Sequence, residues 1–491
     1  MRKRDQAAGR CSRLIAILAI GMWFAALPAS AQNDYFYPHF LMGENWQTTI
    51  TIINYSPQSV TCTTSFFNDN GAPLPVPFGS QAAASSRQDV LAPGGSVHVE
   101  SSADPGLPAP FAGWAKSSCT GPVNASLLFR LFIGGVARQE AGVNALTAPK
   151  TTFITFAETQ TGIAYANPST SQTAQVTITV FSTAGQQLGT TQFALSPGQH
   201  GAANVGGLLG LGAFEGSVRI VSTVPIVSFS LNFEATAPGS QNSVFSSLPP
   251  GDVEAPGPYF FPHLVLGGNT VEGVWQTTLT YINSSAQQVQ CTTSFHTEDI
   301  TDAPNGLLPV SFEGGAPQPT RVDTLPPGGS VHVESTVGAD LPETVQAWAR
   351  TDCDGSVRAS LLFRLYKQGS PLTEAGLNAT TNLTTKFISF GERQIALALV
   401  NPTFLPIGVT ATAFNTAGQV VDSEQFLLLP QQHIATNPFI NGANFIGSVH
   451  ITTPGPFPFV GLTLNFEAGN SVFSSLPPGE LDSSTPLAGG L

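Results

Sequence analysis

Charged residues are scarce in this chain, and basic residues are the scarcest of them. Lys and Arg number 18 among 491 residues, against 31 Asp and Glu, and the four types together make up 10%. An acidic surface repels nucleic-acid phosphate and anionic lipid. We therefore expect a protein that binds neither nucleic acid nor an anionic membrane surface.

Long apolar runs are missing beyond the N-terminus. There, a basic stretch at 2–13 precedes an apolar run at 14–27 and the small residues Ala29-Ser30-Ala31, an order typical of a secretory signal peptide cleaved near Ala31. No later stretch approaches the roughly twenty apolar residues of a membrane span. The predicted mature chain keeps 13 basic and 30 acidic residues, a net charge of −17. It is expected to be secreted, extracellular or periplasmic, without a membrane span.

Motifs that carry chemistry are absent as well. The chain contains no His-Glu-x-x-His, Cys-x-x-Cys, Gly-Lys-Ser/Thr loop, Gly-x-Ser-x-Gly or twelve-residue calcium loop. The Gly-rich stretch 206–212 lacks the dinucleotide spacing, so we interpret it as a loop or a short helical turn. We predict that the protein is not an enzyme and has no catalytic residue, no metal and no cofactor.

What the sequence does contain is repetition. The segment 35–39, Tyr-Phe-Tyr-Pro-His, recurs at 259–263 as Tyr-Phe-Phe-Pro-His, and the ten residues 242–251 recur unchanged at 470–479. Similar matches fill the interval between them, so the chain consists of two units of about 225–230 residues. Such matches are too long to arise by chance.

A weaker repeat divides each unit into two. An Asn that opens a polar turn recurs at Asn54, Asn167, Asn283 and Asn401, at intervals of 113, 116 and 118 residues. The segments between turns alternate apolar and polar residues with the period of two that is typical of strands. We therefore predict an all-β fold of four tandem immunoglobulin-like antiparallel β-sandwich modules, arranged as two repeats of a two-module unit.

The predicted boundaries follow from these repeats. A signal peptide at 1–31 is followed by four modules, which we call the first to fourth quarters, and by a flexible tail at 481–491. The quarters span 32–148, 149–252, 253–384 and 385–480, and the first and third each carry a disulfide.

Cysteine is rare, and its positions separate odd quarters from even ones. Cys11 lies in the predicted signal peptide, and the other four are an even number in a chain bound for an oxidising compartment. Cys62 and Cys119 share the first quarter, and Cys291 and Cys353 share the third. Pairing within each quarter is the simplest connectivity. The competing pairing of Cys62 with Cys291 requires two distant modules to touch.

Several of these motifs together resemble a known group of proteins. They are the Phe/Tyr-x-Pro-His start, Trp-x-Thr-Thr, Leu-x-Pro-Gly-Gly-Ser, Phe-Arg before Glu-Ala-Gly, and the closing Ser-Ser-Leu-Pro-Pro-Gly. The chain resembles a group of secreted repeat proteins of environmental bacteria over almost its whole predicted mature length. The resemblance implies an immunoglobulin-like or fibronectin-III-like sandwich for each module, and it brings no activity and no catalytic residues.

Arg and Glu residues keep a fixed spacing in both units. Ten residues separate Arg130 from Glu140 and Arg364 from Glu374, which places each pair on neighbouring strands of a hairpin. We interpret them as structural ion pairs at a module junction. The alternative is a clamp for an acidic or sugar ligand, because the guanidinium fork suits carboxylates.

Two matched His-x-Glu segments have a similar ambiguity. His98 and Glu100, like His332 and Glu334, lie two residues apart, so both side chains of a pair share one face of a strand. A solvated sheet face is our main interpretation. A metal or acid–base site would need a third ligand, which the sequence does not identify.

Acidic loop residues and strand aromatics complete the candidates. Asp299, Asp302 and Asn305 lie in a loop inserted in the third quarter, where turn formation is our interpretation and calcium binding the alternative. The strand aromatics are interpreted as core, with a carbohydrate-stacking platform as the alternative. These aromatics are Trp46, Trp114, Trp275, Trp348, Tyr35, Phe36, Tyr259 and Phe260.

Repetition without reaction chemistry favours a non-catalytic role. We expect a secreted or cell-envelope-associated modular protein that serves as a structural spacer, an adhesive or a binding surface. The alternative is a carbohydrate or small-ligand binding protein that uses a cleft between modules. A cell-surface or extracellular glycan or protein is the kind of partner that either function would have.

Overall fold

The computed structural model describes most of the chain beyond the predicted signal peptide. The described residues are 32–79, 81–101, 111–158, 160–235, 243–247, 257–269, 271, 273–298, 306–336, 343–438, 445–467, 472–476 and 479–481. The predicted signal peptide, the tail beyond 481 and the candidate calcium loop with Asp299, Asp302 and Asn305 lie outside them.

The first quarter is built from two antiparallel sheets. Its strands are β1 Asn33–Met42, β2 Trp46–Ile53, β3 Val60–Asn68, β4 Ser86–Leu91, β5 Ser96–Glu100, β6 Phe111–Cys119, β7 Asn124–Ile133 and β8 Val136–Asn144. One sheet has the order β1-β6-β3-β4 and the other β5-β2-β7-β8. Buried side chains from both sheets form one core, as in a β-sandwich.

The third quarter repeats this plan in the second unit. Its strands are β16 Tyr259–Asn269, β17 Gly273–Ile282, β18 Val289–Thr297, β19 Thr320–Leu325, β20 Ser330–Glu334, β21 Thr344–Cys353, β22 Arg358–Lys367 and β23 Ser370–Asn378. Here the ends of β16 and β17 also pair, and this pairing joins the two halves into one eight-stranded sheet.

The even quarters contain longer strands that run from one half of the module to the other. The second quarter has β9 Lys150–Glu158, β10 Gly162–Ala166, β11 Ala174–Ser182, β12 Gln187–Leu195, β13 His200–Asn204, α1 Val205–Leu209, β14 Glu215–Ala235 and β15 Ser243–Ser247. The fourth has β24 Lys386–Val400, β25 Ile407–Asn415, β26 Val420–Leu428, β27 His433–Thr436, β28 Phe445–Thr452, β29 Val460–Glu467, β30 Val472–Leu476 and β31 Gly479–Leu481. β14 pairs with β9 and β11 through its first half and with β10 and β15 through its second.

The predicted all-β fold class of antiparallel β-sandwich modules is confirmed. The period of two explains why: in β11, Val176, Ile178 and Val180 are all fully buried while the threonines between them face outward. The Gly-rich stretch contributes to the short helix α1, which the side chain of Asn204 caps. None of the helices in the described part of the chain is long and apolar enough to cross a membrane.

Two hydrophobic cores cross the boundary between quarters. The core of the first quarter continues through Phe229 and Phe245 of the second, and that of the third continues through Leu462 and Leu464 of the fourth. The second and fourth quarters also have cores of their own. An odd quarter and the even quarter after it therefore share buried surface.

The quarters contact one another in a closed order. The first meets the second where Trp114 Nε1 donates to Gly198 O at 2.7 Å, and the third meets the fourth through the equivalent bond from Trp348 to Gln431 O at 3.1 Å. The second meets the third where Ser330 N donates to Thr183 O at 2.9 Å.

The fourth quarter returns to the first through an equivalent bond, from Ser96 N to Thr416 O at 3.1 Å. The described residues from Gln32 onward accordingly form one compact unit. The four quarters are thus a closed arrangement and not an extended rod.

Candidate functional site

The two predicted Arg–Glu pairs lie opposite each other in hairpins. Arg130 on β7 faces Glu140 on β8 with 2.5 Å between Nε and Oε2, and Arg364 on β22 faces Glu374 on β23 with 2.6 Å between the same atoms. All four side chains are at most 8% exposed. Buried charge is tolerated only when it is paired, and each of these charged groups has its partner within hydrogen-bonding distance.

Each pair is completed by a serine from the other unit. Ser474 Oγ of β30 donates to Glu140, and Ser246 Oγ of β15 donates to Glu374. These serines belong to the closing segments that are identical in the two units. The identical closing segments therefore make equivalent serine–glutamate contacts, and each segment contacts the glutamate of the other unit.

Arg130 also joins a cluster where the fourth quarter meets the first. Its Nη1 lies 2.8 Å from Glu100 Oε1 and its Nη2 lies 2.5 Å from Glu392 Oε2. His98 Nε2 lies 3.2 Å from the same oxygen of Glu392. We call these residues, with Glu140, the closed cluster. Glu392 is the third potential metal ligand, beside His98 and Glu100, that the sequence did not identify.

The closed cluster has the donor set of a metal site, but a guanidinium already pairs with its carboxylates. His98, Glu100 and Glu392 present ligand atoms within 4.8 Å of one another, and imidazole and carboxylate groups suit divalent ions. Arg130 is bonded to both carboxylates, so its guanidinium supplies the positive charge that an ion would supply. Burial raises the pKa of Glu392, but the His98 hydrogen bond and the Arg130 charge outweigh it and lower the pKa to about 2.

The equivalent residues of the other unit meet where the second quarter contacts the third. His332 Nε2 lies 2.9 Å from Glu158 Oε1, and its Nδ1 lies 2.9 Å from Thr280 Oγ1. The imidazole stacks on Phe156 with 4.3 Å between ring centroids. Both ring nitrogens of His332 are therefore engaged.

Arg364 does not repeat the contacts of Arg130 at this junction. Its Nη1 donates to Tyr366 Oη at 2.9 Å, and that hydroxyl donates to Glu334 Oε1 at 3.0 Å. The first unit has Phe132 at the position of Tyr366 and so lacks the hydroxyl. Among the described residues, the salt bridge of Glu158 is with His332, whereas its counterpart Glu392 also binds a guanidinium.

A cavity of about 670 Å³ opens beside these residues, and we call it the junction pocket. Strands β9 and β14 of the second quarter and β17, β20 and β22 of the third form its walls. It is lined by Glu158, Gln160, Phe214, Glu215, Phe233, Gln276, Thr278, Glu313, His332, Glu334, Ser335, Thr336, Arg364 and Tyr366. Carboxylates, amides, hydroxyls and aromatic rings thus converge on one volume.

The junction pocket has more negative than positive groups. Glu158 and Glu215 lie directly opposite each other on β9 and β14, a placement in which like charges repel. Burial and the charges of Glu158 and Glu313 raise the pKa of Glu215, although His332 acts against them. Burial also raises the pKa of Glu158, but the hydrogen bond and charge of His332, with the charge of Arg364, lower it below its usual range.

The closed cluster lacks two of these acids. The residue opposite Glu392 is Ile446, where Glu158 faces Glu215. The first quarter has Gly79 at the position of Glu313. The closed cluster and the junction pocket therefore occupy equivalent positions in the two units and differ in the number of acidic residues.

Sequence reasoning missed the two glutamates that complete these clusters. The signal was available, because 153–158, Phe-Ile-Thr-Phe-Ala-Glu, matches 387–392, Phe-Ile-Ser-Phe-Gly-Glu. Comparison of the second quarter with the fourth would have singled out Glu158 and Glu392, but it does not show which residues of the odd quarters they contact. Their partners His332 and His98 lie 174 and 294 residues away.

Four of the five cysteines lie in two disulfides within the odd quarters. Cys62 pairs with Cys119 and Cys291 with Cys353, with Sγ–Sγ distances of 2.09 and 1.99 Å. Each disulfide joins neighbouring strands of one sheet, β3 with β6 and β18 with β21. They lie away from the residues that line the junction pocket.

The strand aromatics are mostly buried. Trp114 and Trp348 are 3% and 1% exposed, and their indole nitrogens bridge quarters as described above. Trp46 and Trp275 are partly buried against the cores of their quarters. The tyrosine and phenylalanine residues of the two start motifs are at most 6% exposed. These rings pack in the cores.

Four further histidines form pairs inside the units. His39 Nδ1 lies 3.1 Å from His200 Nε2, and His263 Nδ1 lies 3.2 Å from His433 Nε2. Burial and the neighbouring His200 lower the pKa of His39 to about 3, and burial lowers that of His263 to about 4. Asp69 completes the first pair by contacting His200 Nδ1 at 2.8 Å.

Comparison with known proteins adds little to this geometry. No protein-family model matches the chain, and no curated protein matches it. Among solved structures that were compared, the partial N-terminal region of Enterococcal surface protein is 9% identical, with a TM-score of 0.14, over 52% of this chain and 100% of that one. At this TM-score the likeness says nothing specific about the fold or function of this chain.

Proposed function

We propose that this protein is a non-catalytic secreted or envelope-associated protein that binds a small polar ligand in the junction pocket. The observation that carries the proposal is the convergence of charged, amide, hydroxyl and aromatic side chains on one cavity of about 670 Å³. Pockets for small ligands commonly have volumes of about 300–1,000 Å³ and a few convergent polar groups.

The arrangement around His332 favours binding over catalysis. A general base needs a ring nitrogen that is free to take a proton from the substrate. Both nitrogens of His332 are engaged, by Glu158 and by Thr280, and Phe156 fixes the ring plane. His332 is therefore suited to orient Glu158 in a binding site.

The closed order of the quarters favours a binding protein over a spacer. A spacer gains length from modules that meet end to end, whereas here the fourth quarter returns to the first. The two disulfides are typical of oxidising compartments, which supports action outside the cytoplasm. A glycan remains a suitable ligand class, because carboxylates accept hydrogen bonds from hydroxyls and amides both accept and donate them.

A ligand-observed NMR screen on the purified full chain tests the proposal. The panel contains mono- and oligosaccharides, amino acids, amines and guanidines. We expect at least one to bind and to lose its binding in Gln160→Trp, which fills the junction pocket from an exposed turn position. Gln172→Trp, at an exposed turn outside the pocket, is the matched control and should leave binding unchanged.

Two outcomes would contradict the proposal. Binding that survives Gln160→Trp would place the ligand elsewhere. Chemical conversion of a bound panel member that is lost in Glu215→Gln would show that the protein is an enzyme. Glu158 and Glu215 would then be the acid–base pair, because the pKa of Glu158 is lowered and that of Glu215 is raised.

A further inference from the structure

The closed cluster and the junction pocket are equivalent sites in the two units. In the closed cluster, an arginine of the protein itself fills the space between two carboxylates. In the closed cluster, the guanidinium of Arg130 lies between Glu100 and Glu392, within 2.8 and 2.5 Å of their oxygens. The equivalent carboxylates of the junction pocket are Glu334 and Glu158. The occupant of the closed cluster therefore indicates which group the carboxylates of the junction pocket are arranged to receive.

We propose that the junction pocket binds a guanidinium group of its ligand, in the place that Arg130 fills in the closed cluster. This inference rests on the proposed function and names the ligand class. The guanidinium can come from a free small molecule or from an arginine side chain of a peptide, and both present the same planar fork of donors. Paired hydrogen bonds from that fork to carboxylates are among the strong polar contacts in proteins.

The resident arginine of the pocket does not satisfy this need. Arg364 directs Nε and Nη2 to the buried carboxylate of Glu374, at 2.6 and 2.5 Å, so its charge is balanced there. Its remaining Nη1 is turned to Tyr366, and 3.6 Å separates it from Glu334. The hydroxyl of Tyr366, which Phe132 lacks, thus holds the guanidinium of Arg364 by a hydrogen bond within β22.

The added acids of the junction pocket fit a cationic ligand. Four carboxylates line the junction pocket, and Glu158 lies directly opposite Glu215. In the described part of the chain, Glu215 and Glu313 have no ion-pair partner. Like charges opposite each other destabilise a sheet, so a bound cation would remove a repulsion that the free protein carries.

The aromatic walls suit the same group. Phe214, Phe233 and Tyr366 line the junction pocket, and guanidinium planes stack favourably on aromatic faces. A neutral isostere of the same shape would keep the stacking and lose the ion pairs. This difference makes charge the property to test.

Calorimetry on the full chain at low ionic strength tests the inference with paired probes. Ethylguanidinium is compared with N-ethylurea, and the peptide Gly-Arg-Gly with its citrulline analogue, which replaces the guanidinium by a urea. We expect each guanidinium probe to bind at least about tenfold more tightly than its urea partner, since ion-paired hydrogen bonds exceed neutral ones. Tighter binding of the peptide would identify a side chain as the source, and tighter binding of ethylguanidinium a free small molecule.

Two variants with matched controls assign the binding to the pocket. Glu334→Gln should weaken ethylguanidinium about tenfold, whereas Glu100→Gln, the equivalent change at a similarly exposed position of the closed cluster, should not. Tyr366→Phe should also weaken it about tenfold, because Arg364 is then released toward Glu158, while Phe132→Tyr should leave it unchanged.

The outcomes separate this inference from the proposed function. Equal affinity of the urea and guanidinium probes, both abolished by Gln160→Trp, would overturn the guanidinium assignment and leave a polar-ligand site. Guanidinium binding that Glu334→Gln and Tyr366→Phe do not change would also overturn it. If neither these probes nor any member of the screening panel bound, the proposed function itself would fail.

Discussion

Single side chains decide whether each of the two related sites is closed or open. Phe132 and Tyr366 occupy equivalent positions and differ by one hydroxyl, and the arginines two residues before them take different partners. Ile446 and Glu215 make a second such difference, opposite Glu392 and Glu158 respectively. Small changes therefore separate an ion-pair network from a cavity.

Glu392→Gln is expected to lower the free energy of unfolding by about 3–5 kcal/mol, because it removes a buried carboxylate that pairs with both Arg130 and His98 and so breaks a buried charge network. The measurement is chemical denaturation at pH 7. Glu100→Gln is the control: that carboxylate is 40% exposed, so its loss should cost less than about 1 kcal/mol. Equal effects of the two variants would contradict the account of the closed cluster.

Acid is expected to destabilise the protein in two stages. Burial depresses the pKa of His39 to about 3 and of His263 to about 4, below the ordinary 6.5, so the unfolded chain binds protons first as the pH falls below about 6.5. The depressed pKa of Glu392, about 2 against 4.5, adds a further loss below about pH 4.5. Unfolding free energies from pH 7.5 to 3 should fall throughout, and a constant value between pH 6.5 and 5 would contradict the burial of these histidines.

At the scale of strands and turns, one asparagine fixes the same turn in every quarter. Asn167 is fully buried, and its Nδ2 donates to Gln172 O at 2.8 Å and to Leu195 O at 2.9 Å. Asn54, Asn283 and Asn401 make equivalent bonds. The recurrence of Asn in the sequence therefore reflects one hydrogen-bonding task, which is to tie the turn to a neighbouring strand end.

Asn167→Ala is expected to lower the free energy of unfolding by about 2–3 kcal/mol, because two carbonyl groups lose their donor in a buried place. Asn70→Ala, at an exposed turn position, is the control and should change stability by less than about 0.5 kcal/mol. Thermal and chemical denaturation measure both. A loss of similar size in the two variants would show that the turn, and not the buried amide, decides the effect.

At the scale of the whole molecule, the quarters approach so closely that backbone meets backbone. Gly185 of the second quarter has φ +79°, and a Cβ there would lie 2.2 Å from Pro327 O of the third. Gly418 of the fourth quarter makes the same approach to Pro93 O of the first. These two contacts join the units at both junctions and close the arrangement.

Gly185→Ala is expected to destabilise the protein by about 1–3 kcal/mol more than Gly369→Ala, because only the first adds a clash between quarters. Gly369 has nearly the same φ, +78°, and its Cβ would have no neighbour within 4 Å, so it reports the conformational cost alone. Denaturation midpoints of the two variants make the comparison. Equal losses would contradict a tight junction at Gly185.

Features that depend on short separations along the chain could be predicted from the sequence. Alternating side chains specify strands, since a period of two leaves one face apolar, and the ten-residue spacing of Arg130 and Glu140 matches one hairpin. Repetition likewise indicated that the first and third quarters would share a plan, and the described residues of each form eight strands in the same order along the chain.

Which quarters meet, and what lies between them, became known from the fold of the whole chain. Glu392 reaches His98 across 294 residues, and the junction pocket joins strands from two units. Local periodicity carries no information on such contacts, because they depend on how whole modules pack and on where the last quarter returns. The glutamates of the junction pocket can be read from the sequence, but the cavity that they line forms only when the quarters pack in the closed arrangement.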